Sequence, residues 1–451
     1  MTPAPHELAD RITRRLSRGR TTGDIRALAV ATGGCSKPVH LSGHRTLTDL
    51  SGTVLTRTEG TVYAPCGNRR DSVCPACSDR YQADAFHLIR AGMCGGKTIP
   101  TDVADKPRLF VTVTAPSFGT VHTRRQHRRT GRPLPCPCGE YHHPADPRLG
   151  TATDPDRYDY RGAVLWQGHA GDLWQRTMIR LRRALATAAG LRVKDFPDHA
   201  RLSYAKVAEY QKRGTVHFHA LFRLDGPDGP DDPAPAWATA ELIEHAIRTA
   251  VETAEVTTRL ILDGTPDVHT FRWGTQLDIR AIRPEHAPAT DDTGGEISDR
   301  ALAGYIAKYA TKGTSTSEAA DRPMRSELDI DALTIHSHHK AMIRTAWDLG
   351  TNPDLAFLRK WAHMLGFRGH FLTKSQRYSL TFKTIRGQRA EYRRAESITA
   401  TGHDPNSVLV INDWRHTGSG YNTPAERELA EAIYARKRQH RKEKYTEENT
   451  P

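Results

Sequence analysis

The chain has 451 residues, more than one compact core usually holds, so two or three domains are expected. Its 65 lysines and arginines outnumber 52 acidic residues, and the resulting charge of +13 favours a polyanionic partner, most simply nucleic acid. A hydrophobic share of 37% argues against wholesale disorder, and the lack of a long apolar run argues against a membrane span.

Met1 to Asp10 lacks the apolar core of a signal peptide, so a cytoplasmic location is expected. A short basic helix is read over Glu7 to Leu28, and five of the seven cysteines then fall between Cys35 and Gly96. The β-branched run Arg108–Thr114 predicts a strand stopped by Ala115-Pro116. Residues 119–161, with several arginines, Cys136, Cys138, His142 and His143, form an elaborated loop. A helical period covers Ala163 to Ala189, and strands are predicted at Leu202–Tyr210 and Thr215–Leu224. Further elements are a helix from Thr239 to Ala254, a strand at Gln276–Ile282 and a helix from Asp299 to Lys312. Beyond that the chain reads as largely helical and basic, with a last helix opening at the capping box Thr423-Pro424-Ala425-Glu426. These features divide the chain into a cysteine-rich segment (1–105), an α/β core with an antiparallel sheet (106–315) and a basic helical DNA-binding region (316–451).

The most informative segment runs from Lys206 to Leu224. His217-Phe218-His219 lies in a strand, which sends both imidazoles to one face and Phe218 to the other. A turn centred on Arg213 sets Glu209 opposite His217 on that same face, forming a two-histidine, one-carboxylate group able to hold a divalent cation. In the helix around Ala301 to Gly313, Tyr305 and Tyr309 are four residues apart and share a face; Lys308 and Lys312 each follow a tyrosine by three. A phenol is a weak nucleophile near neutral pH and needs a polarised phosphate and a nearby cation.

In this order, Phe110–Thr114, His217-Phe218-His219 and Tyr305-Ile306-Ala307-Lys308 resemble the HUH-type rolling-circle initiators and nickases. The overlapping Tyr309-Ala310-Thr311-Lys312 resembles the two-tyrosine members of that group. Five stretches, beginning at Cys66, Phe110, Ala208, Tyr305 and His363, are similar to replication initiators of actinomycete plasmids and integrative elements, a likeness that spans most of residues 35–395. The resemblance implies an HUH nuclease core in which Mg²⁺ or Mn²⁺, bound by His217, His219 and an acidic residue, polarises a phosphodiester of single-stranded origin DNA. It further implies that a tyrosine forms a 5′-phosphotyrosine link, leaving a 3′-hydroxyl for a host polymerase.

Cys66, Cys74 and Cys77, with Cys35 upstream, have the spacing of a four-thiolate structural zinc site. Cys136, Cys138, His142 and His143 offer a second set, although similar initiators carry further cysteines near Asp154–Tyr158 that are missing here. Cys94-Gly95-Gly96-Lys97-Thr98 ends like a phosphate-binding loop but lacks the first glycine, which falls at Ala91, so strand separation is left to a host helicase. Two basic runs are candidate DNA contacts. One comprises Arg124, Arg125, Arg128, Arg129 and Arg132; the other includes Lys374, Arg377, Lys383, Arg386, Arg389, Arg393 and Arg394, interleaved with Tyr378, Phe382 and Tyr392. The rival readings are a relaxase, a single-strand transposase, and a non-catalytic zinc-containing DNA-binding regulator. In relaxases the tyrosine usually precedes the histidines, whereas Tyr305 follows His219.

Overall fold

In the computed structural model, which describes residues 21–127, 129–262, 264–282, 302 and 323–449, the chain falls into two units. In chain order the elements are helix α1 (Thr22–Thr32), strands β1 (Val39–Asp49) and β2 (Val54–Ala64), helix α2 (Pro75–Cys94), strand β3 (Arg108–Thr114), and the short strands β4 (Arg125–Gln126) and β5 (Pro133–Leu134). Helix α3 (Tyr160–Ala188), strands β6 (Arg201–Tyr210) and β7 (Val216–Asp225), helix α4 (Ala240–Thr253), strands β8 (Glu255–Leu262) and β9 (Thr265–Arg272), and β10 (Leu277–Ala281) follow. After helices α5 (Glu327–Asp331), α6 (Ser337–Leu349) and α7 (Ala356–Lys360) come β11 (Leu372–Lys374), α8 (Phe382–Thr399), β12 (Val408–Ser419) and α9 (Pro424–Asn449). The fold is mixed α/β with antiparallel sheets. Among the described residues no helix is long and apolar enough to cross a membrane.

The units do not divide at 105/106 and 315/316, where composition set the boundaries. One unit joins the described residues up to Asp84 to those from Phe382 onward, and the other is Ala85–Thr381. The C-terminal stretch is largely helical, as read, but its described residues also include strands β11 and β12. β12 pairs along its length with β1, which also pairs with β2, in a three-stranded antiparallel sheet. Local composition could not reveal that partner, because it lies far upstream, 380 residues for the pair Val39 and Ser419.

The larger unit is built on a five-stranded sheet in the order β10-β3-β7-β6-β11. Strict alternation splits its side chains between two faces. Leu109, Val111, Val113, Phe218, Phe222 and Leu224 turn to the apolar side and pack with Trp166, Leu173 and Trp174 of α3 and with Ile243 and Ile247 of α4. Burial encircles the N-terminal half of α3, where Ala163 to Ala170 are all buried, so this helix runs through the core.

Lys206 also points to this apolar side. Its Nζ lies 4.1 Å from the Phe218 ring centre and 5.3 Å from that of Trp174, and burial lowers its pKa from 10.5 to about 7. Between those values the unfolded chain holds a proton that the folded chain lacks, so stability should rise with pH across that window. Lys206→Met is expected to stabilise the protein at pH 6.5 by about 1–3 kcal/mol. Its advantage should shrink toward pH 10, as followed by thermal unfolding across pH. An equal gain at both ends would contradict the assignment.

The opposite face carries polar groups at both ends. At one end Arg108 donates to Met93 O at 2.6 Å and Arg223 donates to Gly92 O, so two strand arginines cap the last carbonyls of α2. Asp225 balances them, accepting from Arg223 Nε and Ser203 Oγ at 2.6 Å each and lying 3.4 Å from Lys106 Nζ. Gly92 also lets the Tyr378 ring pack against this helix end, because a Cβ there would fall 2.2 Å from it. Cys94 and the glycines after it form the tight turn that ends α2, with Gly96 N bonded to Ile99 O; the turn leads out of a helix, which a phosphate-binding loop does not do.

Candidate metal centres

At the other end of that polar face lie Glu209, His217 and His219. Their geometry follows from the five-residue turn Gln211–Thr215. Gly214 adopts φ +80°, and Gln167 of α3 clamps the turn by donating to Gly214 O and accepting from Val216 N, both at 2.8 Å. His338 and His339 of α6 reach Arg213 O and Lys212 O at 3.2 and 3.1 Å. Burial holds the His338 pKa down to about 4, so the ring is neutral and donates from Nε2 while Nδ1 faces the Tyr160 hydroxyl at 3.0 Å. Arg213 donates to Ala115 O and Pro116 O just past β3. The turn is thus tied to three neighbours, which fixes the register of the strands it joins.

That register pairs Glu209 with His217, as a turn centred on Arg213 requires. Glu209 Oε2 lies 2.9 Å from His217 Nε2 and 3.2 Å from His219 Nε2, and the three ligand atoms fall within 4.8 Å of one another. β3 completes the site: Thr114 stands opposite His217 and Thr112 opposite His219. Thr112 Oγ1 is 3.0 Å from His219 Nδ1, and Phe110 stacks on the same imidazole. A hydroxyl can donate or accept. Thr112 can therefore support either tautomer of His219 and leave Nε2 aimed at the cluster.

Burial opposes ionisation of Glu209, but its bonds to the two histidines outweigh burial and lower its pKa. Burial also lowers the pKa of His219. An ionised carboxylate and a neutral imidazole are the forms that ligate a metal. Asp278 of β10 pairs with Thr112 and so projects from the same face as His219. Sequence reading missed this residue: its strand was recognised, but its register against β3 depends on a contact distant in the chain. Tyr305, Lys308, Tyr309 and Lys312 lie outside the described residues, as does Arg128.

In the smaller unit, Cys35 follows α1, Cys66 follows β2, and Cys74 and Cys77 flank the start of α2; their sulfur atoms also lie within 4.8 Å of one another. Cys66 Sγ is 3.6 Å from Cys77 Sγ and Cys74 Sγ is 3.8 Å from Cys35 Sγ. Backbone N–H groups of Cys66 and Ser36 point at Cys35 and Cys74. Bonds from the neighbouring thiols hold the Cys74 pKa far below the ordinary thiol value.

A third group combines Cys136, Cys138 and His142 with His122; the set read from sequence had His143 in that place. His143 Nδ1 instead accepts from Ala145 N at 3.2 Å, closing a local turn. His122 lies 14 residues before Cys136, without a spacing signature that would have marked it.

The basic runs separate. Arg124, Arg125, Arg129 and Arg132 are exposed on or beside the β4–β5 hairpin. By contrast, Lys374 donates to Ser375 O and Gln376 O, Arg377 to Asp228 O, and Arg386 to the buried Asp84 at 2.9 Å. Tyr378 is buried, with its hydroxyl on Ile89 O, and so cannot stack on a base; Tyr392 is exposed.

The described residues thus define a mixed α/β protein with three clusters of metal-ligating side chains. Residues 21–435 match the family model RepSA, the replication initiator protein of pSAM2, and the chain belongs to that family of replication initiators. A replication initiator protein of Streptomyces ambofaciens is 44% identical over 414 residues, covering 89% of this chain and 87% of the relative. No solved structure matches the chain.

Proposed function

We propose that this replication initiator nicks single-stranded origin DNA by tyrosine transesterification in an HUH-type nuclease core, and so starts rolling-circle replication. The observation that carries the reading is the meeting of Glu209, His217 and His219 on one sheet face, backed by Thr112. A Mg²⁺ or Mn²⁺ ion held by these three side chains would neutralise charge on the scissile phosphate. Tyr305, with Tyr309 as the second nucleophile, attacks phosphorus through its phenolic oxygen. A tyrosyl O–P bond forms, the P–O3′ bond breaks, and the 3′ oxygen leaves and takes up a proton. The products are a 5′-phosphotyrosine link and a 3′-hydroxyl for a host polymerase, while a host helicase separates the strands. Lys308 and Lys312 offset phosphate charge, and exposed Arg124, Arg125 and Arg129 contact the DNA backbone. The four thiolates of Cys35, Cys66, Cys74 and Cys77 fit a structural zinc ion.

The test is incubation with labelled single-stranded origin DNA and Mg²⁺ or Mn²⁺, followed by a search for an adduct that survives denaturant. Mass spectrometry of the adduct peptide should place the nucleotide on Tyr305. Tyr305→Phe should then lose most adduct, whereas Tyr309→Phe should still nick but resolve replicated circles poorly. A label found only on Tyr309 would exchange the two roles, and one on neither residue would end the tyrosine mechanism.

A further inference from the structure

The loop between β3 and α3 is held at its base by a short ribbon. Val121 bridges Ala152, His122 N donates to Thr151 O, and Gly150 N donates to His122 O. Above this base, Cys136-Pro137-Cys138-Gly139 makes a tight turn in which Gly139, at φ +92°, donates to Cys136 O at 2.8 Å. Cys136 Sγ accepts the N–H of Thr123 at 3.4 Å and also bonds the N–H of Cys138. His142 Nε2 lies 3.2 Å from His122 Nδ1 and 3.3 Å from Cys138 Sγ.

Ordinary bond lengths of about 2.3 Å for Zn–S and 2.0 Å for Zn–N place the corners of a tetrahedral site roughly 3.3–3.8 Å apart. The spacings around His142 lie at the lower edge of that range. A second feature points the same way. His142 Nδ1 bonds Asp146 Oδ2 at 2.7 Å, and Arg148 donates to both carboxylate oxygens of Asp146, so the outer nitrogen of the ring is engaged and Nε2 faces the sulfur atoms. A carboxylate behind an imidazole is the usual outer support of a zinc-bound histidine. Two thiolates and two imidazoles are a closed donor set, suited to zinc in a structural role.

We propose that His122, Cys136, Cys138 and His142 bind a zinc ion that folds this loop. The β4–β5 hairpin lies between His122 and Cys136, so the ion closes the chain segment that bears Arg124, Arg125, Arg129 and Arg132. The loop also abuts the turn of the β6–β7 hairpin: a Cβ on Gly150 would fall 2.4 Å from Lys212 Cβ, and Ala152 N donates to His338, which itself bonds Arg213 O. Zinc here therefore steadies the arginine hairpin and one side of the turn that registers Glu209 with His217. The zinc assignment is independent of the nicking reading; only the use of the hairpin on DNA rests on it.

Elemental analysis of the full-length protein, purified without chelator, tests the proposal. Two zinc ions per chain are expected. Cys136→Ser with Cys138→Ser should leave one, Cys74→Ser with Cys77→Ser should leave the other, and all four changes together should leave none. Asp146→Asn should keep both sites but weaken the second by roughly 10–100-fold in competition with a chromogenic chelator. Should the serine variants fail to fold, cobalt-loaded wild-type protein decides the matter. Thiolate-to-cobalt absorption equivalent to six sulfur ligands supports the second site, and absorption equivalent to four refutes it. One zinc per chain, lost entirely from the Cys74/Cys77 variant, would likewise overturn the proposal. None of these readouts depends on nicking.

Discussion

His217→Ala and His219→Ala are each expected to abolish adduct formation on single-stranded origin DNA while leaving duplex binding close to wild type. Charge stabilisation by a bound metal contributes several kcal/mol to a phosphoryl-transfer step. At about 1.4 kcal/mol per tenfold, its loss corresponds to roughly 10²–10³-fold in rate. Duplex affinity should persist because the arginines on and beside the β4–β5 hairpin, Arg124, Arg125, Arg129 and Arg132, are exposed to solvent and act through phosphate charge. His217 is the cleaner target: its side chain is 17% exposed against 4% for His219, so truncation leaves less of a cavity. Glu209→Gln should weaken divalent-ion binding without disturbing the hairpin, since Gln211–Thr215 sets the register and the carboxylate does not. Thr112→Val should produce a milder loss that excess Mn²⁺ restores, because Thr112 orients His219 without belonging to the ligand set. Calorimetric titration with Mn²⁺ and the adduct assay run on the same samples separate these cases. Wild-type nicking by the His217→Ala/His219→Ala double variant would exclude the site from catalysis.

What was legible in the sequence and what was not differ by distance along the chain. Glu209 and His217 are eight residues apart, and a hairpin with Gly214 in its turn has few registers to choose from. The gathering of Cys35, Cys66, Cys74 and Cys77 was readable from residue type and spacing, because a Cys-x-x-Cys pair with two further cysteines upstream is a zinc-ligand pattern. The sheet of β12, β1 and β2 was not readable. Its strands mix polar and apolar residues without a sustained alternation, and β2 is exposed from Val54 to Val62, so no period announced them. Arg108 and Arg223 were hidden for a related reason: a charged residue in an apolar strand suggests a wet edge, whereas both are buried against the carbonyl end of α2. Arg386, read as a phosphate contact, also bonds the buried Asp84 through Nε, a partner that lies some 300 residues away in the chain and that composition could not announce.

The sulfur cluster of the smaller unit leads to the second large effect. One of its clusters consists of Leu47, Ile398 and Val408, and another of Cys35, Cys74, Ala76, Cys77 and Tyr434, so thiols occupy positions that leucine or valine would fill in a larger core. Four chain segments converge there: Cys35 after α1, Cys66 after β2, the start of α2, and Tyr434 of α9. Gly34 is held at φ +77° so closely against Tyr434 that a Cβ would lie 2.5 Å from the tyrosine Cβ, and Tyr421 donates to Cys35 O at 3.1 Å. Ile25, Leu28, Ala29, Ile385 and Ala430 of this unit are buried as well, but the sulfur cluster sits where the four segments meet, so a metal bound there ties all four together. A structural zinc ion supplies about 10–16 kcal/mol of apparent binding energy at neutral pH, more than the whole stability of many domains. Cys74→Ser with Cys77→Ser, or treatment with a strong zinc chelator, should therefore unfold this unit while Ala85–Thr381 keeps its own apolar core. Differential scanning calorimetry should show loss of one transition with the other retained. Hydrogen exchange should show protection lost across β1, β2 and β12 but kept in β3, β6 and β7. Retention of both transitions and of β1 protection in the metal-free double variant would show that the thiols pack as ordinary small apolar groups, with no stabilising ion between them.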